Sequence, residues 1–215
     1  MNGLLVASTD SQTGLSPECL EARIRAEFRS LALLRREFPM LADWGVPDVG
    51  LAIHSLGLNY LAALGRHLGC PTVTEFPLVR ADLPTNVALA GFDGLEVRPD
   101  VVWFDRKSRE PLLLAEFERF DDLSARRKVL VEKTENLVLA HHLTGSQPEI
   151  LLLALWTFTG VKVTGLAELS TRVRSGFRRD GGTRINGLSG QARFLVATFV
   201  FARHGAGIAL KEVLL

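Results

Sequence analysis

The sequence predicts an α/β domain with a mixed central sheet flanked by helices. Three observations predict it. Val97 to Phe120 holds two apolar runs around the polar turn Arg106-Lys107-Ser108-Arg109-Glu110, the pattern of a β-hairpin. Ile150 to Phe158 is a continuous apolar run, the signature of a strand covered on both faces. Around these stretches apolar residues recur at helical spacing, so strands and helices alternate.

In chain order, residues 1–15 are polar and contain glycine, and are expected to form a flexible tail ahead of one domain over 16–215. Ser16-Pro17-Glu18 opens a helix, with serine capping and proline at the first helical position. Leu20, Ile24, Phe28, Leu31 and Leu34 carry it to about Glu37, and Pro39 ends it. Pro47-Asp48 opens a second helix with Val49, Ile53, Leu56, Tyr60, Leu64 and Leu68 inward and Gly69 as its stop. His54 and His67 lie on this helix without the spacing of a metal pair, and read as structural or surface residues. Pro71 to Ala81 is expected to be a strand carrying Glu75, and Asp82 to Glu96 a turn-rich connection.

After the hairpin, Asp121 or Asp122 is expected to cap a helix that runs to about Leu143. Leu123, Leu130, Leu137 and Val138 form its inner face, and Lys128, Glu132, Lys133, Glu135 and Asn136 another. His141 and His142 are adjacent, so on a helix they diverge by about 100° and make a poor ligand pair. The strand over Ile150 to Phe158 then closes a β-α-β crossover. Thr164 is expected to cap a further helix with Leu166, Leu169, Val173 and Phe177 inward. Gln191 to Arg203 reads as the last long strand, and the tail to Leu215 as a short strand or helix.

The 215 residues are 47% hydrophobic, enough to bury a sizeable core. No apolar run is long enough to span a bilayer as a helix, and the N-terminus lacks the pattern of a signal peptide. Cys19 and Cys70 are isolated, which suits a reducing compartment, so a cytoplasmic location without membrane contact is expected. A formal net charge of +1 excludes a general electrostatic grip on polyanions and leaves local patches to supply one. Arg172, Arg174, Arg178, Arg179 and Arg184 form the densest such patch, and guanidinium forks suit phosphate oxygens.

The hairpin carries the chemistry. Glu116 and Glu118 project from the same face of its second strand. Asp100 and Glu116 are equidistant from Ser108 at the turn, which sets them opposite each other. Three carboxylates at one end of an apolar hairpin repel one another. A hard divalent cation with oxygen ligands relieves that repulsion.

Pro99-Asp100, an apolar strand, a turn, a second apolar strand and Glu116-x-Glu118 resemble the core of the PD-(D/E)XK nuclease superfamily, the restriction-endonuclease-like fold. That pattern ordinarily ends in Glu-x-Lys, and Glu118 stands here where the lysine would be. The resemblance covers about residues 50–160. It implies a metal-dependent nuclease acting on phosphodiester bonds, in DNA before RNA, with Mg²⁺ or Mn²⁺ held by Asp100 and Glu116. Glu75 is the upstream acid that would complete the metal set. Asp100, Glu116, Glu118 and Lys133 are the expected catalytic residues, the part of the motif lysine falling either to a second metal ion held partly by Glu118 or to Lys133 reaching from the next helix. The expected partners are nucleic acid, held by the arginine patch, and a second copy of the chain in a homodimer. The alternative is a catalytically silent nuclease-like module that binds nucleic acid or a protein.

Overall fold

The computed structural model describes residues 16–78, 97–121, 123–178, 184–188 and 191–215. The expected tail over 1–15, the end of the expected strand at 79–81, the whole connection from Asp82 to Glu96, Asp122 and Arg179 lie outside the described residues. The fold is mixed α/β. Among the described residues a six-stranded mixed sheet stands between two helical layers, in the spatial order β1 (Thr72–Thr74), β2 (Val101–Phe104), β3 (Pro111–Arg119), β4 (Ile150–Phe158), β7 (Arg193–His204), β8 (Gly207–Leu214).

Helix α1 (Pro17–Ser30) begins as expected, with the Ser16 hydroxyl accepting from the Cys19 N–H. The single helix expected to reach Glu37 is interrupted at Leu31, which takes a left-handed φ of 54° before α2 (Ala32–Glu37). The cause is Glu27. Its carboxylate accepts from the Leu33 and Leu34 N–H groups at 2.8 and 3.3 Å, capping a second helix instead of continuing the first. A π-helical turn (Met40–Trp44) leads to α3 (Gly50–His67). Asp48 does not cap α3 but lies 3.6 Å from Arg203, and Val49 takes the N-cap position, exposed rather than inward.

In its described part, residues 71–78, the strand expected over Pro71 to Ala81 is broken after three residues. Strand β1 (Thr72–Thr74) ends at Glu75, whose φ of 52° turns the chain off the sheet. Pairing resumes only at Leu78, which bridges to Val97. The hairpin forms as expected from β2 (Val101–Phe104) and β3 (Pro111–Arg119), with Val101 opposite Ala115. Its turn is tied by the Asp105 carboxylate, which accepts from the Lys107 and Ser108 N–H groups.

Helix α4 (Ser124–Leu143) follows Leu123 at its N-cap position without a side-chain cap among the described residues, so Asp121 does not cap it, and Asp122 lies outside the described residues. Asp121 instead faces Arg119 and Arg126. Strand β4 (Ile150–Phe158) lies parallel to β3 and is buried on both faces, as its continuous apolar run implies. Helix α5 (Leu166–Ser175) follows Gly165, which holds the left-handed N-cap position in place of the expected Thr164 cap. A two-stranded hairpin follows, β5 (Phe177–Arg178) with β6 (Arg184–Ile185). Strand β7 (Arg193–His204) runs parallel to β4, and β8 (Gly207–Leu214) returns antiparallel at the edge.

Each sheet face has its own core. Ile24, Phe28, Tyr60 and Leu64 of α1 and α3 pack on Phe117, Trp156 and Phe199. Leu137, Val138 and Leu169 of α4 and α5 pack on Leu114, Leu153 and Leu155. Phe117 and Glu116 therefore point to opposite layers, and the acidic end of β3 lies between α3 and α4.

Candidate metal centre

The hairpin register decides where the acids meet. Val101 opposite Ala115 brings Asp100 beside the Glu116–Phe117 segment. The Asp100 carboxylate accepts from the Phe117 N–H at 2.7 Å. Asp100 and Glu116 are 3% and 1% exposed, so two carboxyl groups share one nearly dry end of the sheet. Burial, then the facing Asp100, pushes the Glu116 carboxyl well above the usual carboxylate range, and a side-chain hydrogen bond to Asp100 adds to it. Lys133 offsets this only in part.

Lys133 reaches the acids from α4. Its ammonium donates to Glu116 Oε2 at 2.8 Å and stands 3.7 Å from Asp100 Oδ1. Burial works against the charged amine, but Glu116 and Asp100, with Glu118 behind them, outweigh it and raise its pKa. Lys133 is therefore a cation and a hydrogen-bond donor at neutral pH, not a base. Glu118 projects on the same side of β3 but is paired differently: Arg126 Nη1 is 3.8 Å from its Oε1.

On the opposite side of Asp100 the described residues bring His54, Glu75 and Asp100 together, with one ligand atom from each within 4.8 Å of the others. The Glu75 N–H donates to the Asp100 carbonyl, which fixes β1's end against the hairpin. The His54 Nδ1 is 2.8 Å from the Phe117 carbonyl oxygen. Donating there leaves Nε2 as the ring's lone-pair nitrogen, the arrangement that orients a ligating histidine. His54, Glu75 and Asp100 could hold a metal ion, the two carboxylates supplying oxygens and the imidazole a nitrogen.

Of the expected metal set, Glu75 and Asp100 come together, and Glu116 adjoins Asp100 on the Lys133 side. His54 was read as structural or surface and is instead a candidate ligand. The sequence marks only the closeness of this helix face, through Gly57 one turn on, a helical glycine where the helix is buried, and not the ligand itself. A Cβ at Gly57 would stand 2.2 Å from the Phe117 ring, so this face of α3 lies hard against β3.

The arginine patch is divided. Arg172 is engaged by Glu135 at 2.6 Å and Glu168 at 3.4 Å. Arg184 Nη2 donates to the Ser175 carbonyl at 2.7 Å, and Arg178 stands opposite Arg184 in the small hairpin. Arg174 is exposed on α5. No helix among the described residues is long and apolar enough to cross a membrane. No protein-family model, curated protein or solved structure matches the chain.

Proposed function

We propose that the protein is a metal-dependent nuclease that hydrolyses phosphodiester bonds, in DNA before RNA. The observation that carries the reading is the Lys133 ammonium, 2.8 Å from Glu116 and 3.7 Å from Asp100 in a buried site. A lysine beside two carboxylates is what the PD-(D/E)XK resemblance requires, and it arrives from α4 where Glu118 has displaced it from the strand. The order helix, three strands, helix, strand agrees with a restriction-endonuclease-like core.

His54, Glu75, Asp100 and Glu116 would hold the cation. When bound, it supplies Lewis acidity toward a phosphoryl oxygen and lowers the pKa of water. The imidazole among the donors weights the choice toward Mn²⁺ over Mg²⁺, which prefers an all-oxygen shell. The Phe117 N–H fixes the Asp100 carboxylate, and the Phe117 carbonyl fixes the His54 tautomer. Lys133 holds its proton, orients the attacking water by donation to it, and faces the charge that develops on phosphorus-bound oxygen. Arg174, Arg178 and Arg184 would hold the strand away from the reacting bond.

The test is calorimetry with Mn²⁺ and Mg²⁺ beside a cleavage assay on single- and double-stranded DNA and RNA. Asp100→Asn, which keeps an acceptor for the Phe117 N–H, should abolish cation binding and cleavage. Lys133→Met should cut kcat by about two to three orders of magnitude, the scale of a lost charge-stabilising donor, with cation affinity nearly intact. A wild-type chain that binds neither cation would end the proposal.

A further inference from the structure

The end of β3 carries a second constellation. Arg119, last residue of that strand, and Arg126, in the first turn of α4, converge on one oxygen. Arg119 Nε is 3.5 Å and Arg126 Nε is 3.7 Å from the same Asp121 Oδ2. We propose that Arg119 and Arg126 form a phosphate clamp, in which a non-bridging oxygen of the phosphodiester beside the reacting one takes the place held by Asp121 Oδ2. The proposal rests on the nuclease reading and names the surface by which that site grips its strand.

Guanidinium groups repel unless an anion stands between them, and a fork that accepts a carboxylate oxygen suits a phosphate oxygen equally. The separations exceed the 2.7–2.9 Å of a charge-assisted hydrogen bond, so Asp121 balances the two forks by charge without locking their donors. Arg172 and Arg193 contrast with them, bonded at 2.6 Å to Glu135 and 2.7 Å to Glu21 respectively. The Arg119 guanidinium is held in place from below, 5.2 Å from the Trp156 ring centroid and 5.8 Å from that of Phe158. Both arginine side chains remain about a third exposed, at 33% and 39%.

Position links the clamp to the site. Arg126 and Lys133 are two turns apart on one face of α4, roughly 10 Å along the axis. Lys133 faces Glu116, and Arg126 faces Glu118. The helix thus lays a row of cations along the acids of β3. Once Glu118 turns to a cation or to water, Arg126 loses a counter-charge and gains one from the strand.

The experiment measures binding of a fluorescein-labelled single-stranded deoxyoligonucleotide by anisotropy across a salt series, with Ca²⁺ replacing Mn²⁺. The double variant Arg119→Ala, Arg126→Ala should bind at least tenfold more weakly. Its salt slope should be shallower by about 1.4, two phosphate contacts at about 0.7 each. Asp121→Asn removes the competing anion and should bind several-fold more tightly than wild type. An unchanged slope in a folded double variant overturns the clamp, whatever the affinity. If the double variant does not fold, Asp121→Asn decides alone, and equal or weaker binding overturns the clamp. Where wild type still cuts the oligonucleotide with Mn²⁺, that failure belongs to the clamp only. If wild type neither binds nor cuts it, the nuclease reading falls and takes the clamp with it.

Discussion

Glu116 is a carboxyl that the fold holds in its proton-bound form more tightly than the unfolded chain does. As pH rises through the ordinary carboxylate range, the unfolded chain releases its proton first, so the folded state loses stability until the raised value is passed. Glu116→Gln removes that loss. The variant should match wild type in acid and be more stable near neutral pH. Urea denaturation across a pH series without divalent cation checks this, and a variant less stable than wild type at neutral pH would count against the strained pair. His141 has the opposite sign. Fully buried in α4, it has its pKa pushed down to about 4, first by burial and then by the neighbouring His142. Between pH 6.5 and 4 the unfolded chain takes up the proton first, so stability is lost as pH falls through that window. The loss amounts to roughly 3 kcal/mol. His141→Leu should flatten that acid limb, as read from unfolding midpoints at each pH.

Elements were legible where their signals are local. The hairpin was readable because its turn, its two apolar runs and its register about Ser108 lie within one short stretch. Lys133 was readable because a helix starting just after the acidic strand must return across it, and the side chain faces the acids as expected. The break at Leu31 was not readable, because its cause is the Glu27 side chain reaching forward to two amides beyond an apolar stripe that never loses its period. Nor was the end of β1, where Glu75 leaves the sheet in a left-handed conformation that no flanking glycine announces. His54 was hidden for a different reason: its partners lie on other elements, and nothing beside it in sequence is acidic. The approach of α3 to β3 depends on Gly57, so Gly57→Ala must displace the Phe117 ring. Overpacking there should cost about 1–3 kcal/mol. Because the Phe117 peptide holds Asp100 and His54, the same variant should also weaken cation binding, with calorimetry and urea denaturation reading the two effects separately. Retained affinity at reduced stability would show that the α3 contact is packing alone.

At the scale of the whole molecule, the sheet joins two cores that the helical layers cover from opposite sides. The candidate ligands come from α3, the end of β1 and the hairpin, with Lys133 added from α4. A cation that binds only this assembled state stabilises it by mass action, about 2.7 kcal/mol at a hundredfold excess over Kd. For a chain of this size that raises Tm by about 5–10 °C. Mn²⁺ should produce the shift in wild type and not in Asp100→Asn, as scanning calorimetry would show. The scattering of the ligands also bears on how the chain reaches its native state. The hairpin closes over a few residues, whereas the parallel β3–β4 and β4–β7 pairings and the docking of α3 join distant parts of the chain. Contacts of that kind form slowly, since loop closure comes before any gain. Capacity for the cation therefore develops with the last long-range docking rather than with the first strands, and stopped-flow refolding in the presence of Mn²⁺ would time that step.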